Sequence, residues 1–238
     1  MRRRRFFALV LLTLAVVAAG CARSIGDEAR AQPLRVLFVG NSLTATNDLP
    51  AAVAAIAERV GGRPFEVRAV VPGGVDLQDQ WEWTGARDVL DGERWDVVVL
   101  QQGPSALPES QAHLRLWTQR WAAAIRARGA RPALLQVWPE GDRPEALPAV
   151  LRSYAAAASA ADATLLPAGA AWREAWRRDP ALPLYGPDRF HPSLLGTALA
   201  ALVVHAALTG LPPATLPGLA PATARLLREA ARTALVER

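Results

Sequence analysis

Residues 34–44 read LRVLFVGNSLT. The mostly apolar run 34–39 ends at Gly40 and is followed by the more polar residues 41–44. The run predicts a β-strand at Leu34–Val39. Outward from it, short Val- and Leu-rich runs alternate with longer Ala-rich stretches. The short runs predict further strands at Phe65–Val71, Trp95–Leu100, Ala133–Val137 and Ala163–Leu166.

The Ala-rich stretches predict helices, because Ala has the highest helix propensity. The first, Leu49–Val60, has Asp48 as an N-cap, Pro50 in its first turn and two glycines after it. The others are Glu109–Arg128, Glu145–Ala160, Ala168–Arg177, Leu194–Leu208 and Pro221–Leu235. Alternation of strands and helices predicts an α/β fold with a five-stranded parallel sheet and helices on both faces.

Ligands of such open sheets bind beyond the carboxyl ends of the strands. The first three predicted strands are followed there by residues 40–44 (GNSLT), 73–74 (GG) and 101–103 (QQG). A further polar segment, residues 188–192 (DRFHP), comes after the last strand and its helix. We therefore expect these four segments to meet at one edge of the sheet.

Ser42 is a candidate nucleophile, but a serine hydroxyl needs a neighbouring base. His191 is the best candidate, because Pro192 favours an extended backbone at the histidine and Asp188 precedes it closely. Asp188 accepting a hydrogen bond from His191 Nδ1 would leave Nε2 facing Ser42, as in a hydrolase triad. His113 and His205 lie in predicted helices; His113 is interpreted as a surface or structural residue and His205 as a core histidine. Ser42 has an alternative role as a helix cap.

The four segments resemble the SGNH/GDSL hydrolases, a family of serine esterases and acylhydrolases. The nucleophile motif G-[DN]-S-L corresponds to residues 40–43, and the late motif D-x-x-H-P corresponds to residues 188–192. The resemblance extends over nearly all of residues 33–238. It implies a three-layer α/β/α, flavodoxin-like fold and a catalytic triad of Ser42, Asp188 and His191, without metal or organic cofactor. No G-x-S-x-G surrounds Ser42, which argues against the α/β-hydrolase elbow.

The resemblance also implies an oxyanion hole. Its donors would be the backbone N–H of Ser42, that of Gly74 (or Gly73), and a side-chain amide after the third strand. The family has Asn in that third position, whereas this sequence has Gln101 and Gln102. A glutamine offers the same donor on a longer side chain, and we expect Gln101 first and Gln102 second.

The implied reaction is hydrolysis of acyl or acetyl esters, which includes esters on carbohydrates. Trp81, Trp83, Trp138 and Tyr185 fall near the predicted edge, where they would stack on sugar rings or simply pack the loops. One alternative is a catalytically inactive SGNH-fold binding protein of the cell envelope. Another is a flavodoxin-type binder of a phosphate at the helix N-terminus, which leaves Asp188 and His191 unexplained.

The N-terminus reads as an export signal. Arg2–Arg5 are followed by the apolar run Phe6–Val17 and by the small residues that precede Cys21. This pattern resembles a bacterial lipobox, in which the cysteine is acylated. We expect a signal peptide at residues 1–20, a tether at 21–32 lipidated at Cys21, and the hydrolase domain at 33–238. An ordinary signal peptide and a transmembrane anchor are the alternatives.

The net charge and the cysteine content restrict the classes of binding partner that we expect. Of the net charge of +5, the four arginines of the predicted signal account for most. The remainder is close to neutral, which argues against a nucleic-acid partner. Cys21 is the single cysteine, so the domain after it has neither an internal disulfide nor a cysteine metal site. The expected partners are an ester substrate and the membrane that holds the lipid anchor, in the bacterial cell envelope.

Overall fold

The computed structural model describes residues 32–237. The predicted signal peptide, Cys21 and the tether up to residue 31 lie outside the described residues. Within the unit that begins at Leu34, five parallel strands form one sheet in the order β2-β1-β3-β4-β5. Their bounds are β1 Leu34–Val39, β2 Phe65–Val70, β3 Val97–Leu100, β4 Arg131–Leu135 and β5 Thr164–Leu166. The predicted α/β fold with a five-stranded parallel sheet is confirmed.

Helices connect the strands. They are α1 Ser42–Ala45, α2 Leu49–Arg59, α3 Leu77–Glu82, α4 Ala86–Gly92, α5 Pro108–Ala127, α6 Leu147–Ala160, α7 Ala168–Arg178, α8 Leu194–Thr209 and α9 Pro221–Val236. Two 3-10 turns, Thr46–Asp48 and Pro144–Ala146, lead into α2 and α6. Asp48 caps α2 as predicted, by accepting a hydrogen bond from Ala51 N at 3.2 Å.

The strand order explains the two helix layers. From β1 the chain moves to one side to form β2, then crosses back to form β3, β4 and β5 on the other side. Right-handed crossovers then place α2 on one face of the sheet and α5 and α6 on the opposite face. The last helices complete the α2 side, since α8 packs against α2, α7 and α9.

The central strand β3 lies in the core, and its four residues are all buried. β1 pairs with both β2 and β3, so the direction of the connections reverses there. Such a switch point opens a crevice beyond the carboxyl ends of the two central strands. Residues 40–42 follow β1 and residues 101–102 follow β3, so both segments lie at this crevice.

We find no helix between residues 32 and 237 with the length and hydrophobicity needed to span a bilayer.

Candidate active site

The loop after β1 presents Ser42 at the start of α1. The N-cap is Asn41, whose side chain accepts a hydrogen bond from Leu43 N at 3.1 Å. Ser42 is therefore the first residue of the helix rather than its cap, and its hydroxyl is not used for capping. The side chain is partly exposed at the sheet edge.

Ser42, His191 and Asp188 form one continuous hydrogen-bonded chain. Ser42 Oγ lies 2.8 Å from His191 Nε2, although the two residues are 149 positions apart in sequence. His191 Nδ1 lies 2.5 Å from Asp188 Oδ2. With the proton on Nδ1 donated to the carboxylate, Nε2 is free to accept the serine proton. This arrangement activates a serine for attack on a carbonyl.

Asp188 is held in place by the backbone that follows it. Its Oδ1 accepts hydrogen bonds from Phe190 N at 3.1 Å and His191 N at 3.0 Å, while Oδ2 faces the imidazole. The hydrogen bond from the His191 side chain, followed by that from Phe190 N, lowers the pKa of Asp188 to about 2. The carboxylate is thus ionised at neutral pH and fixes the orientation of the ring.

Gln101 is buried beneath the loop that carries Ser42. Its Oε1 accepts from Asn41 N at 3.0 Å and Thr44 Oγ1 at 2.8 Å. Its Nε2 donates to Asn41 Oδ1 at 3.0 Å and to Gln102 O at 2.6 Å. Both amide hydrogens are therefore engaged, which argues against Gln101 as an oxyanion donor. Glycine at position 40 permits this approach, because a Cβ there would lie 2.6 Å from Gln101 Oε1.

Gln102 differs from Gln101 in having a spare donor. Its Nε2 donates to Ser105 Oγ at 3.0 Å, and its Oε1 accepts from Leu77 N at 3.4 Å. Within residues 32–237, the second amide hydrogen has no acceptor. Gln102 is buried, and this hydrogen is not committed to an acceptor within the described residues.

Gly74 lies in a turn that is tied to the nucleophile loop. Asn41 Nδ2 donates to Val75 O at 2.9 Å, which brings the turn after β2 beside the loop after β1. Gly74 has a φ of 74°, a left-handed conformation that favours glycine. Gly73 does not share this conformation. The backbone therefore distinguishes the two candidates, with Gly74 at the position that requires glycine.

The structure adds a buried glutamine that the sequence analysis did not single out. Gln80, on α3, donates to Gly40 O and, at 2.9 Å, to Val70 O. It thereby links the ends of β1 and β2. No motif pointed to it, because α3 itself was not predicted.

Of the four aromatic candidates for sugar stacking, three are packed against other rings: Trp138, Trp81 and Tyr185, the last of which meets Trp172 edge-on at 5.1 Å. Trp138 is buried and stacks on Trp172 at a centroid distance of 3.6 Å. Trp81 meets Trp121 edge-on at 5.2 Å. Tyr185 is half-buried, and Trp83 is 63% exposed. Trp83 therefore has the most accessible aromatic ring of the four.

Two surface cavities flank the segment that carries Asp188 and His191. One, of about 670 Å³, includes Asn47, Asp188, His191 and Leu194 in its walls. The other, of about 430 Å³, is mainly apolar and lies against Tyr185 and Trp176. Tyr185 and Gly186 line both cavities, so both adjoin the same segment.

The other two histidines lie away from this chain of hydrogen bonds. His113 Nε2 is 3.3 Å from Gln78 Oε1 and 3.5 Å from Asp76 Oδ2. His205 is buried beside Phe65, and burial lowers its pKa. Across residues 32–237, no cluster of His, Cys, Asp and Glu side chains is arranged to hold a metal ion.

The parallel sheet, with serine, histidine and aspartate at its carboxyl edge, has the flavodoxin-like fold that is also found in the SGNH hydrolases. Neither a family model nor a curated protein matches the sequence. Solved structures do match it, and they confirm the predicted resemblance to the SGNH/GDSL hydrolases.

A protein of Slackia heliotrinireducens, provisionally assigned to the SGNH hydrolases, is 28% identical, with a TM-score of 0.64 over 74% of this chain and 100% of its own. A DUF4886 family protein of Bacteroides uniformis is 17% identical, with a TM-score of 0.68 over 86% of this chain and 95% of its own. A lipase/acylhydrolase of Enterococcus faecalis is 16% identical, with a TM-score of 0.60 over 76% and 99%. Below 25% identity the likeness shows the fold alone. The Slackia heliotrinireducens protein, at 28% identity, supports a hydrolase function.

Proposed function

We propose that the protein is a serine esterase that cleaves carboxylic esters. Ser42 is the nucleophile, His191 the general base and acid, and Asp188 the residue that orients and stabilises the imidazole. The observation that carries this proposal is the hydrogen-bonded chain from Ser42 Oγ through His191 to Asp188, with distances of 2.8 and 2.5 Å. Structural neighbours described as hydrolases give independent support.

The proposed reaction has two steps. Ser42 Oγ bonds to the ester carbonyl carbon while its proton passes to His191 Nε2. The same proton then goes to the departing alkoxide as the ester bond breaks, which leaves an acyl-serine. A water molecule attacks the acyl carbon and gives a proton to His191. The carboxylic acid leaves, and Ser42 regains its hydrogen.

The oxyanion in this proposal accepts hydrogen bonds from the backbone N–H groups of Ser42 and Gly74 and from a side-chain amide. Gln102 is the better amide donor, because both amide hydrogens of Gln101 are already donated within the protein. Gln101 instead holds the nucleophile loop. Removal of one oxyanion donor typically lowers kcat by about 100-fold or more.

Acetyl or other acyl esters, including those on carbohydrates, are the proposed substrates. The exposed indole of Trp83 supports a carbohydrate substrate, because a sugar ring stacks on such a surface. A screen of acetylated sugars against esters of longer acyl chains tests this. Trp83→Ala should raise KM for an acetylated oligosaccharide and leave p-nitrophenyl acetate unaffected.

Labelling with a fluorophosphonate probe and mapping the modified peptide tests the nucleophile. We expect an adduct on Ser42, and a loss of p-nitrophenyl acetate hydrolysis of about three orders of magnitude or more in Ser42→Ala. Ser159→Ala removes an exposed hydroxyl at the far end of α6 and serves as the matched control. An adduct elsewhere, or full activity in Ser42→Ala, would contradict the proposal.

A second candidate is an inactive SGNH-fold binding protein of the cell envelope. The engaged amide of Gln101, at the position where the family has a donor, favours this alternative. It predicts no labelling of Ser42 and a biological role that survives Ser42→Ala.

We also propose export through residues 1–20 and lipidation at Cys21, with residues 33–238 as the hydrolase domain in the bacterial cell envelope. The support is the sequence pattern at the N-terminus. Metabolic labelling with a fatty-acid analogue should mark the wild-type protein in the membrane fraction. Cys21→Ser should abolish the label, and a labelled Cys21→Ser variant would refute the anchor.

A further inference from the structure

The segment after β4, residues 138–141 (WPEG), holds the loop of residues 185–192 that carries Asp188 and His191. We call these two segments the clasp and the triad loop. Trp138 Nε1 donates to Phe190 O at 3.2 Å, and the Tyr185 hydroxyl donates to Pro139 O at 2.7 Å. Each bond joins a clasp residue to a triad-loop residue within a few positions of His191.

Gly141 and Arg189 form the closest part of this contact. Gly141 N donates to Arg189 O at 2.6 Å, and the Arg189 guanidinium donates back to Gly141 O. A Cβ at position 141 would lie 2.9 Å from Arg189 O and 3.1 Å from Tyr185 Cε2. Because the nearer atom belongs to the backbone, any side chain at 141 must push the triad loop away.

Arg189 has a φ of 57°, a left-handed conformation that is unfavourable for arginine. This turn folds the chain so that the next two N–H groups, of Phe190 and His191, both reach Asp188 Oδ1. The peptide oxygen of Arg189 is the group that Gly141 binds. The clasp therefore holds the left-handed turn at Arg189, on which the geometry of Asp188 and His191 depends.

We propose that Gly141 and Arg189 are positioning residues for the triad, and that the clasp sets the orientation of His191 towards Ser42. This inference rests on the proposed esterase function and deepens it. It assigns a catalytic consequence to residues that touch neither the nucleophile nor its base. Burial raises the pKa of Tyr185 to about 12, so its hydroxyl stays a donor to Pro139 at neutral pH.

The test compares Gly141→Ala with Gly92→Ala in the full chain. Gly92 has no heavy atom within 4 Å of an added Cβ and no positive φ, so it controls for the substitution itself. Gly141→Ala should slow fluorophosphonate labelling of Ser42 about tenfold or more. It should also lower kcat for p-nitrophenyl acetate with little change in KM. Gly92→Ala should match the wild type in both.

A proton NMR signature separates positioning from general destabilisation. His191 Nδ1 lies 2.5 Å from Asp188 Oδ2. The proton between these two atoms should give a far-downfield resonance in the wild type. It should shift or vanish in Gly141→Ala at a temperature where the variant is fully folded, as it should in Asp188→Asn. An unchanged resonance together with a wild-type labelling rate would overturn the inference.

Two milder variants keep the test decisive if Gly141→Ala does not fold. Tyr185→Phe removes only the hydroxyl that reaches Pro139. Arg189→Gly keeps the left-handed backbone but removes the guanidinium bond to Gly141 O. Each should slow labelling severalfold, and wild-type rates in both would refute the clasp. If the wild type itself is not labelled at Ser42, the esterase proposal fails, whereas the Nδ1 resonance still reports whether the clasp orients His191.

Discussion

The side-chain amide of Asn47 donates a hydrogen bond of 2.9 Å to the carbonyl oxygen of Pro192, the residue directly after His191. Its second amide hydrogen goes to Thr197 Oγ1 at 3.0 Å. Asn47 lies five positions after Ser42 and adopts a left-handed backbone, with φ 57°. Its amide thus joins the nucleophile segment to the histidine segment next to the Ser42–His191 bond itself.

Asn47→Gly should keep the left-handed backbone and lose both hydrogen bonds. Together the two bonds contribute about 2 kcal/mol of stability. Their loss should loosen the placement of His191 against Ser42 and lower kcat/KM for p-nitrophenyl acetate by about tenfold. Asp162→Gly is the matched control, since Asp162 is also left-handed, with φ 49°, and lies beyond α6. Equal activities of the two variants would show that Asn47 does not set the Ser42–His191 distance.

Gly74→Ala should combine backbone strain with a displaced oxyanion donor. A side chain at φ 74° costs about 1 kcal/mol of stability, and displacement of the N–H should lower kcat by about 100-fold. Gly218→Ala carries comparable strain at φ 81° in an exposed loop before α9. Denaturant unfolding should show similar stability losses for both variants, and only Gly74→Ala should lose activity. A fully active Gly74→Ala variant would remove Gly74 from the proposed oxyanion hole.

Gln101→Met should reduce stability more than any exposed glutamine substitution. It leaves Asn41 N, Asn41 Oδ1 and Thr44 Oγ1 without their buried partner. Since each unsatisfied group costs about 1–3 kcal/mol, we expect a loss of about 3 kcal/mol in the free energy of unfolding. Gln119→Met, an exposed control on α5, should lose about 0.5 kcal/mol or less. A Gln101→Met variant with wild-type stability and low kcat would restore Gln101 as the oxyanion donor.

The lowered pKa of Asp188 predicts a pH dependence with a definite sign. Because the pKa falls to about 2 on folding, the unfolded chain, with an Asp pKa of about 4, binds this proton more tightly. The ionised carboxylate therefore stabilises the fold above pH 4, and this contribution disappears as the pH falls towards 2. Wild type and Asp188→Asn should differ in Tm at pH 6 and converge near pH 2. A gap that widens on acidification would reverse the assigned sign.

Activity should also depend on Asp188, because its carboxylate orients the His191 ring. Asp188→Asn should lower kcat by about 100-fold or more without unfolding the protein at neutral pH.

Most of the strand and helix positions followed from local composition. β1 was predicted residue for residue, because a mostly apolar run between a proline and a glycine is typical of a buried strand. β4 was predicted at Ala133–Val137 but occupies Arg131–Leu135. The discrepancy has a physical cause, since β5 joins only from Ala133 onwards and Pro132 can sit where the strand has one neighbour. Three short helices, α1, α3 and α4, were missed because four to seven residues carry too little periodicity.

The sequence by itself determined the order of strands and helices and nominated Ser42, Asp188 and His191, because those signals reside in a few adjacent residues. Only the tertiary structure decided how Gln101, Asn47 and Gly141 are used. Their partners lie 60, 145 and 48 positions away, and a side chain's donors and acceptors become committed only when distant segments pack together. Amino-acid composition does not show which amide hydrogen lacks an acceptor, whereas the hydrogen-bond geometry of the folded chain does.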